Sequence, residues 1–186
     1  MIVAAGYGHS HWMKLMRKLK EEGLLDLVYP EFFDDKKLLI EKRWTAYLRK
    51  LRRIEDKVKV AVWPDYCLDH RIRGKFQLEW VFPLHSKREL DFALKVADYI
   101  GFPNRDDLRD YTLTWFAEQR RSYGVKTWLL GLKPRYLKAI SLFNACDVTT
   151  FSLPSFRYPR RVGEEEWREL LVLLRRRSGS SSRVPR

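Results

Sequence analysis

Short apolar runs that nearly all end in Pro, Gly, His or Asp alternate along this chain with stretches of helical period. That alternation leaves few folds open. The runs are Ile2–Gly6, Leu25–Pro30, Val58–Pro64, Leu78–Pro83, Ala97–Pro103, Val125–Gly131 and Val148–Pro154. Strands that alternate with helices build parallel βαβ units, because a parallel neighbour is reached only by a crossover. In such sheets and barrels chemistry gathers where the strands end, so the residues just after each run carry the functional expectation.

The intervening segments read as helices. Met13, Met16 and Leu19 share a face in His11–Glu22, with Gly23 as a stop. Lys36–Glu55 reads as one helix with Ile40, Trp44, Tyr47, Leu48, Leu51 and Ile54 in a single stripe. Ser86 and Glu89 form a capping box before Lys87–Val96. Asn104 is expected to cap the next helix, with Asp106 and Asp107 in its first turn and Gly124 at its end. Pro134 opens a helix to Phe143, and the last helix spans about Glu164–Arg175. The connection Asp65–Gln77 is too short for a full helix.

Seven strands exceed a small flavodoxin-like sheet and fall one short of a (β/α)₈ barrel. The chain has 186 residues, where such barrels usually take about 200 or more. The expected fold is therefore a compact or incomplete TIM-type (β/α) barrel of about seven parallel strands. A doubly wound open sheet is the runner-up. Residues 1–177 are read as one domain and 178–186, a Ser/Gly/Arg mixture, as a disordered basic tail. An aromatic content of 14% argues against wider disorder.

No stretch approaches the ~20 apolar residues of a membrane span, so a cytoplasmic protein without a membrane partner is expected. Cys67 and Cys146 make neither a disulfide framework nor a zinc motif. Asn104, Asn144, Gln77 and Gln119 are the only side-chain amides in a chain that is 33% charged, a pattern of thermophilic proteins.

The net charge of +13 is concentrated. Residues 36–59 carry a net +7 and residues 157–186 a net +5. Clustered cations fit a polyanion, so RNA or DNA is the expected partner, with phosphate contacts from Arg43, Arg49, Lys50, Arg52 and Arg53. A homo-oligomer or a partner subunit is left open.

All four histidines fall at strand ends: His9 and His11 after the first run, His70 after the third and His85 after the fourth. Glu31, Asp34 and Asp35 follow the second run, and Asp65 the third. Parallel strands would crowd these groups around one mouth, where acid/base or metal chemistry belongs.

The run Val60-Ala61-Val62-Trp63-Pro64-Asp65-Tyr66-Cys67 resembles the strand-end Asp-x-Cys of the tRNA-guanine transglycosylases. Tyr99-Ile100-Gly101-Phe102 resembles the family's Ile-Gly-Gly strand end. Trp128-Leu129-Leu130-Gly131-Leu132, a Pro-initiated helix, and Asp147-Val148-Thr149-Thr150-Phe151-Ser152-Leu153-Pro154-Ser155 are similar to its last two βα units. The likeness covers roughly residues 58–157. It implies a TIM barrel that recognises a guanine or deazaguanine base in tRNA or DNA, by base exchange if the chain is an enzyme, and without a cofactor. Base contacts then fall to Asp65, Cys67, Gly101, Gly131, His85 and Phe102, and catalytic roles to Asp65, Glu31, Asp34 and Thr150. Thr150 stands where the family has its nucleophilic Asp, and the family's zinc module has no counterpart.

The residues keep two alternatives open. His9-Ser10-His11 after the first strand resembles the His-x-His of amidohydrolase-type metal sites, with His85 or Asp65 to complete the shell. Against this, Asp147 is expected to begin its strand rather than end it. A non-catalytic nucleic-acid-binding barrel is the other alternative. Tyr7, Tyr66, Phe102 and Trp63 are candidates to stack on a base, with Trp63 read as core.

Overall fold

The computed structural model describes residues 1–6, 10–148 and 164–179, with the backbone alone at 10–12 and 177–179. It has eight parallel strands: β1 (Ile2–Ala5), β2 (Leu27–Val28), β3 (Phe32–Phe33), β4 (Val60–Val62), β5 (Glu79–Pro83), β6 (Tyr99–Pro103), β7 (Lys126–Leu130) and β8 (Ala145–Asp147). Their order is β2-β1-β8-β7-β6-β5-β4-β3, and every neighbouring pair is parallel. The two outer strands, β2 and β3, are separated in the chain by Tyr29, Pro30 and Glu31. Even a fully extended tether from Val28 to Phe32 spans at most about 14 Å, so the ladder must curl back on itself. The result is a nearly closed α/β barrel. One extended segment pairs first with β1 and then with β4, so seven expected runs yield eight strands.

The barrel is filled rather than hollow. Phe32 on β3 stacks across the interior on Trp128 of β7, with centroids 4.9 Å apart, and Tyr99 meets the same indole edge-on at 5.2 Å. Gly101 on β6 makes room for Leu130 and Val81. A Cβ there would lie 2.7 Å from Leu130 Cδ1 and 3.1 Å from the Phe82 carbonyl oxygen.

The helices form the outer layer. They are α1 (Ser10–Glu21), α2 (Lys36–Ile40), α3 (Trp44–Arg52), α4 (Leu90–Val96), α5 (Leu113–Tyr123) and α6 (Glu164–Gly179), with 3₁₀ helices at His70–Lys75 and Pro134–Leu142. On the outer side of β6, Phe102 packs among Tyr111, Phe116, Tyr136 and Phe143. Trp63 packs against Trp80 and Phe92. Ion pairs Lys18–Glu164 and Arg168–Glu22 tie α6 to the α1 segment.

Four sequence expectations change. The single helix over Lys36–Glu55 is broken into α2 and α3, because Lys42 takes a left-handed backbone and closes α2 through Lys42 N–H to Leu39 O and Arg43 N–H to Leu38 O. The apolar stripe survives the break because Tyr47 and Leu51 still face inward. Thr112, not Asn104, caps α5: its hydroxyl accepts from Trp115 N–H at 3.2 Å, while Asn104 Nδ2 donates to Gly131 O at 2.5 Å. The last strand is Ala145–Asp147, ahead of the run expected from Val148; residues 149–163 lie outside the described residues. The last helix continues to Gly179. The Ser86/Glu89 capping box and the left-handed Gly124 stand where expected. Among the described residues no helix is long and apolar enough to cross a membrane.

Candidate functional site

Because all strands run the same way, their C-terminal ends open on one mouth, and two polar groups meet there. The first is built by the turn after β4. Trp63 is buried and its indole N–H donates to Cys67 O at 2.7 Å, while Cys67 N–H donates to Pro64 O at 3.1 Å. This pinned turn holds Asp65 and Tyr66 at its tip. His85, just past β5, is 7% exposed; its backbone N–H is held by Glu89 and its Nδ1 lies 2.9 Å from Leu108 O. A carbonyl oxygen only accepts, so Nδ1 carries a proton. Nε2 lies 3.3 Å from Asp65 Oδ1, and that contact is attractive only with a second proton shared between the pair. Burial opposes the imidazolium, but the hydrogen bond and charge of Asp65 and the Leu108 carbonyl outweigh it and raise the His85 pKa. Asp65 Oδ2 takes no hydrogen bond among the described residues.

The second group lies deeper. Asp34, one residue past β3, and Asp147, the last residue of β8, are buried, and Lys36 Nζ stands 3.5 Å from an oxygen of each. Gly6 lets Asp34 approach: a Cβ on Gly6 would lie 3.3 Å from Asp34 Cβ. Burial pushes the Asp34 carboxyl up to about 7; Lys36 pulls it down, and the negative charges of Asp147 and Asp65 add to the rise. Lys36 is held charged: burial works against it, and the two carboxylates more than compensate. A carboxyl that exchanges its proton near neutral pH is suited to general acid/base work. Lys36 and Asp147 are the members that sequence reasoning missed. Their signal was a lone acid inside the apolar segment Ala145–Val148 and a lysine directly after two aspartates.

The other expected site residues are dispersed. Glu31 opens β3 at its N-terminal end, where Lys20 and Lys59 hold its carboxylate; it belongs to the far side of the barrel, not the mouth. Phe102 is wholly buried in the outer aromatic layer and presents no face to the mouth. Gly101 sits within the ladder, its carbonyl already accepting from Leu84 N–H at 3.0 Å, so its task is packing. Cys67 is buried beside the indole of Trp63, and Gly131 directly follows β7 with a left-handed backbone (φ 75°). Thr150, Tyr7 and His9, and the side chain of His11, lie outside the described residues. Among the described residues no cluster of three His, Cys, Asp or Glu forms a metal-binding set. Asp147 does end its strand, which reverses the expectation that it begins one.

Arg49 on α3 and Arg53, the residue just past its end, are exposed. Lys50 turns inward to Asp35 (2.6 Å), Arg52 pairs with Glu55 (2.5 Å) and lies over Phe76, and Arg43 reaches Glu41 at 3.4 Å.

Fold and site together define a parallel α/β barrel of the TIM-like class with a polar mouth at the strand ends. Within that class no family model matches the chain, and no solved structure matches it. The chain is similar to an uncharacterized protein, ORF192, of Acidianus two-tailed virus, with 34% identity over 113 residues that cover 55% of this chain. The chain spans about 59% of that viral protein's length.

Proposed function

We propose that the barrel mouth recognises a guanine-type base of a nucleic acid, in the manner of the transglycosylases it resembles, and that Asp65 reads the base edge. The observation that carries this reading is Asp65 itself: a carboxylate at the mouth, oriented by His85 through Oδ1, with Oδ2 open. The guanine edge offers two donors, N1–H and the exocyclic amine. A carboxylate retains lone pairs on both oxygens to accept them. Asp34, titrating near neutrality beside Lys36 and Asp147, is the group suited to move a proton to or from a departing base. Asp147 acts through Lys36 as a positioning residue. Two exposed arginines, Arg49 on α3 and Arg53 just past its end, supply the sequence-independent phosphate contacts. Buried free cysteines fit a cytoplasmic setting, and scarce amides with abundant ion pairs fit a protein that works hot.

The test is calorimetric titration of guanine and adenine into the wild type and Asp65→Asn. Guanine binds selectively, and the variant loses about 10- to 100-fold, the effect of removing a charged hydrogen-bond partner. Equal affinity for guanine in the two proteins overturns the reading.

One observation favours the amidohydrolase-type alternative: Asp147 closes β8, where that site needs its last ligand. Near-stoichiometric zinc, iron or manganese in purified protein supports it; absence of metal after purification in metal-supplemented buffer removes it.

A further inference from the structure

Among the described residues two positions other than glycine have a left-handed backbone, Lys42 at φ 53° and Tyr66 at φ 59°. Their side chains meet at the rim of the mouth, the Lys42 ammonium 5.3 Å from the centre of the Tyr66 ring. Each stands where glycine is the ordinary occupant. Lys42 follows the C-cap of α2, a place glycine fills without steric cost. Tyr66 is the third residue of the Pro64–Cys67 turn, where a positive φ favours glycine or asparagine. A lysine and a tyrosine in these conformations store strain, and such strain collects at ligand clamps.

The surroundings say what the clamp would hold. The His85 imidazole lies flat against one face of Tyr66, with centroids 4.4 Å apart and planes 21° apart, so the ammonium occupies the other face. Tyr66 is nonetheless 44% exposed. Ile40 and Leu68, two residues before Lys42 and two after Tyr66, are exposed apolar neighbours in sequence. An exposed aromatic ring with a cation over it matches the two parts of a nucleotide, a π-face and a phosphate.

We infer that Lys42 and Tyr66 form a nucleotide clamp: a base stacks on the outer face of Tyr66, and Lys42 swings from that face to the adjoining phosphate. This deepens the base-recognition reading by naming the ligand as a nucleotide unit of a single strand rather than a free base. It depends on that reading only for the preference for guanine, since stacking tolerates any base.

Single-stranded oligo-dT, which has phosphates and π-faces but no guanine edge, is the probe, with binding followed by fluorescence anisotropy across a salt series. Tyr66→Gly weakens binding about 5- to 100-fold, while Tyr66→Phe keeps it. Lys42→Gly weakens binding and reduces the salt slope by about 0.7, one single-strand phosphate contact. Both glycine variants fold, and relief of strain raises the melting temperature by about 2–4 °C each. Wild type that does not bind oligo-dT, or glycine variants that bind it as the wild type does, overturn the clamp. Oligo-dT held through both residues without selectivity for guanine over adenine supports the clamp and removes the edge reading at Asp65. Guanine selectivity with oligo-dT affinity indifferent to both residues removes the clamp alone.

Discussion

Replacing Asp34 by Asn tests the electrostatics of the deep site. The carboxyl titrates at about 7 in the folded protein, against 3.8 for an unperturbed aspartate. Because the folded-state value is raised, the folded chain holds the proton where the unfolded chain has lost it. Stability from this group is complete below the unfolded value and is lost as pH rises through the interval up to the folded one. From about pH 5 to about pH 8 the loss amounts to about 2–3 kcal/mol, taking 1.36 kcal/mol per unit of pKa. Asn has the same shape and does not titrate. The melting temperature of Asp34→Asn relative to wild type should therefore rise by about 5–10 °C between those pH values, at about 2–4 °C per kcal/mol for a chain of this size. Calorimetry of both proteins in matched buffers measures the gap. A gap that stays level with pH refutes the argument, because it means the Asp34 carboxyl ionises as it does in water.

Three other outcomes are expected. Asp65→Asn lowers the pKa of His85, followed by NMR of the imidazole; it also abolishes that pair's stability contribution, which is full below about pH 6.5 and declines as pH rises through the raised folded value. An unchanged imidazole titration would show that the contact at 3.3 Å carries no charge. Gly101→Ala costs about 1–3 kcal/mol in urea unfolding, because the added methyl meets Leu130 and the Phe82 carbonyl; a neutral substitution would mean that the barrel interior yields freely. Reversing Arg49 and Arg53 to Glu flattens the salt dependence of nucleic-acid binding, and an unaltered slope assigns the phosphate contacts to another surface.

The parallel barrel was legible because Val60–Val62, Glu79–Pro83, Tyr99–Pro103 and Lys126–Leu130 are apolar segments separated by helical periods, and burial on both faces demands such segments. What escaped were the places where local pattern and tertiary demand part company. Pro30 punctuates the second run, so Phe32 and Phe33 look like the beginning of a loop, although they pair with β4. Asp147 is a charge at the end of a buried strand, and Lys36 reaches it from a segment more than a hundred residues away. Lys36 itself read as one cation of a basic helix. Asp65 and His85 could be found because strand direction alone brings them to the same rim. Tyr66 was visible as an aromatic, but its left-handed backbone is a property of the fold.

The missing ladder between β2 and β3 makes the barrel a split ring. Spreading it at that point breaks no backbone hydrogen bond between strands, whereas spreading it elsewhere breaks several. Two ionic clasps span the split: Lys36 joins Asp34 on the β3 margin to Asp147 on the wall beyond β1, and Glu31 on the same margin grips Lys20 of α1. Neutralising Asp34 loosens the first clasp. The seam is thus closed by side chains where the rest of the ring is closed by backbone.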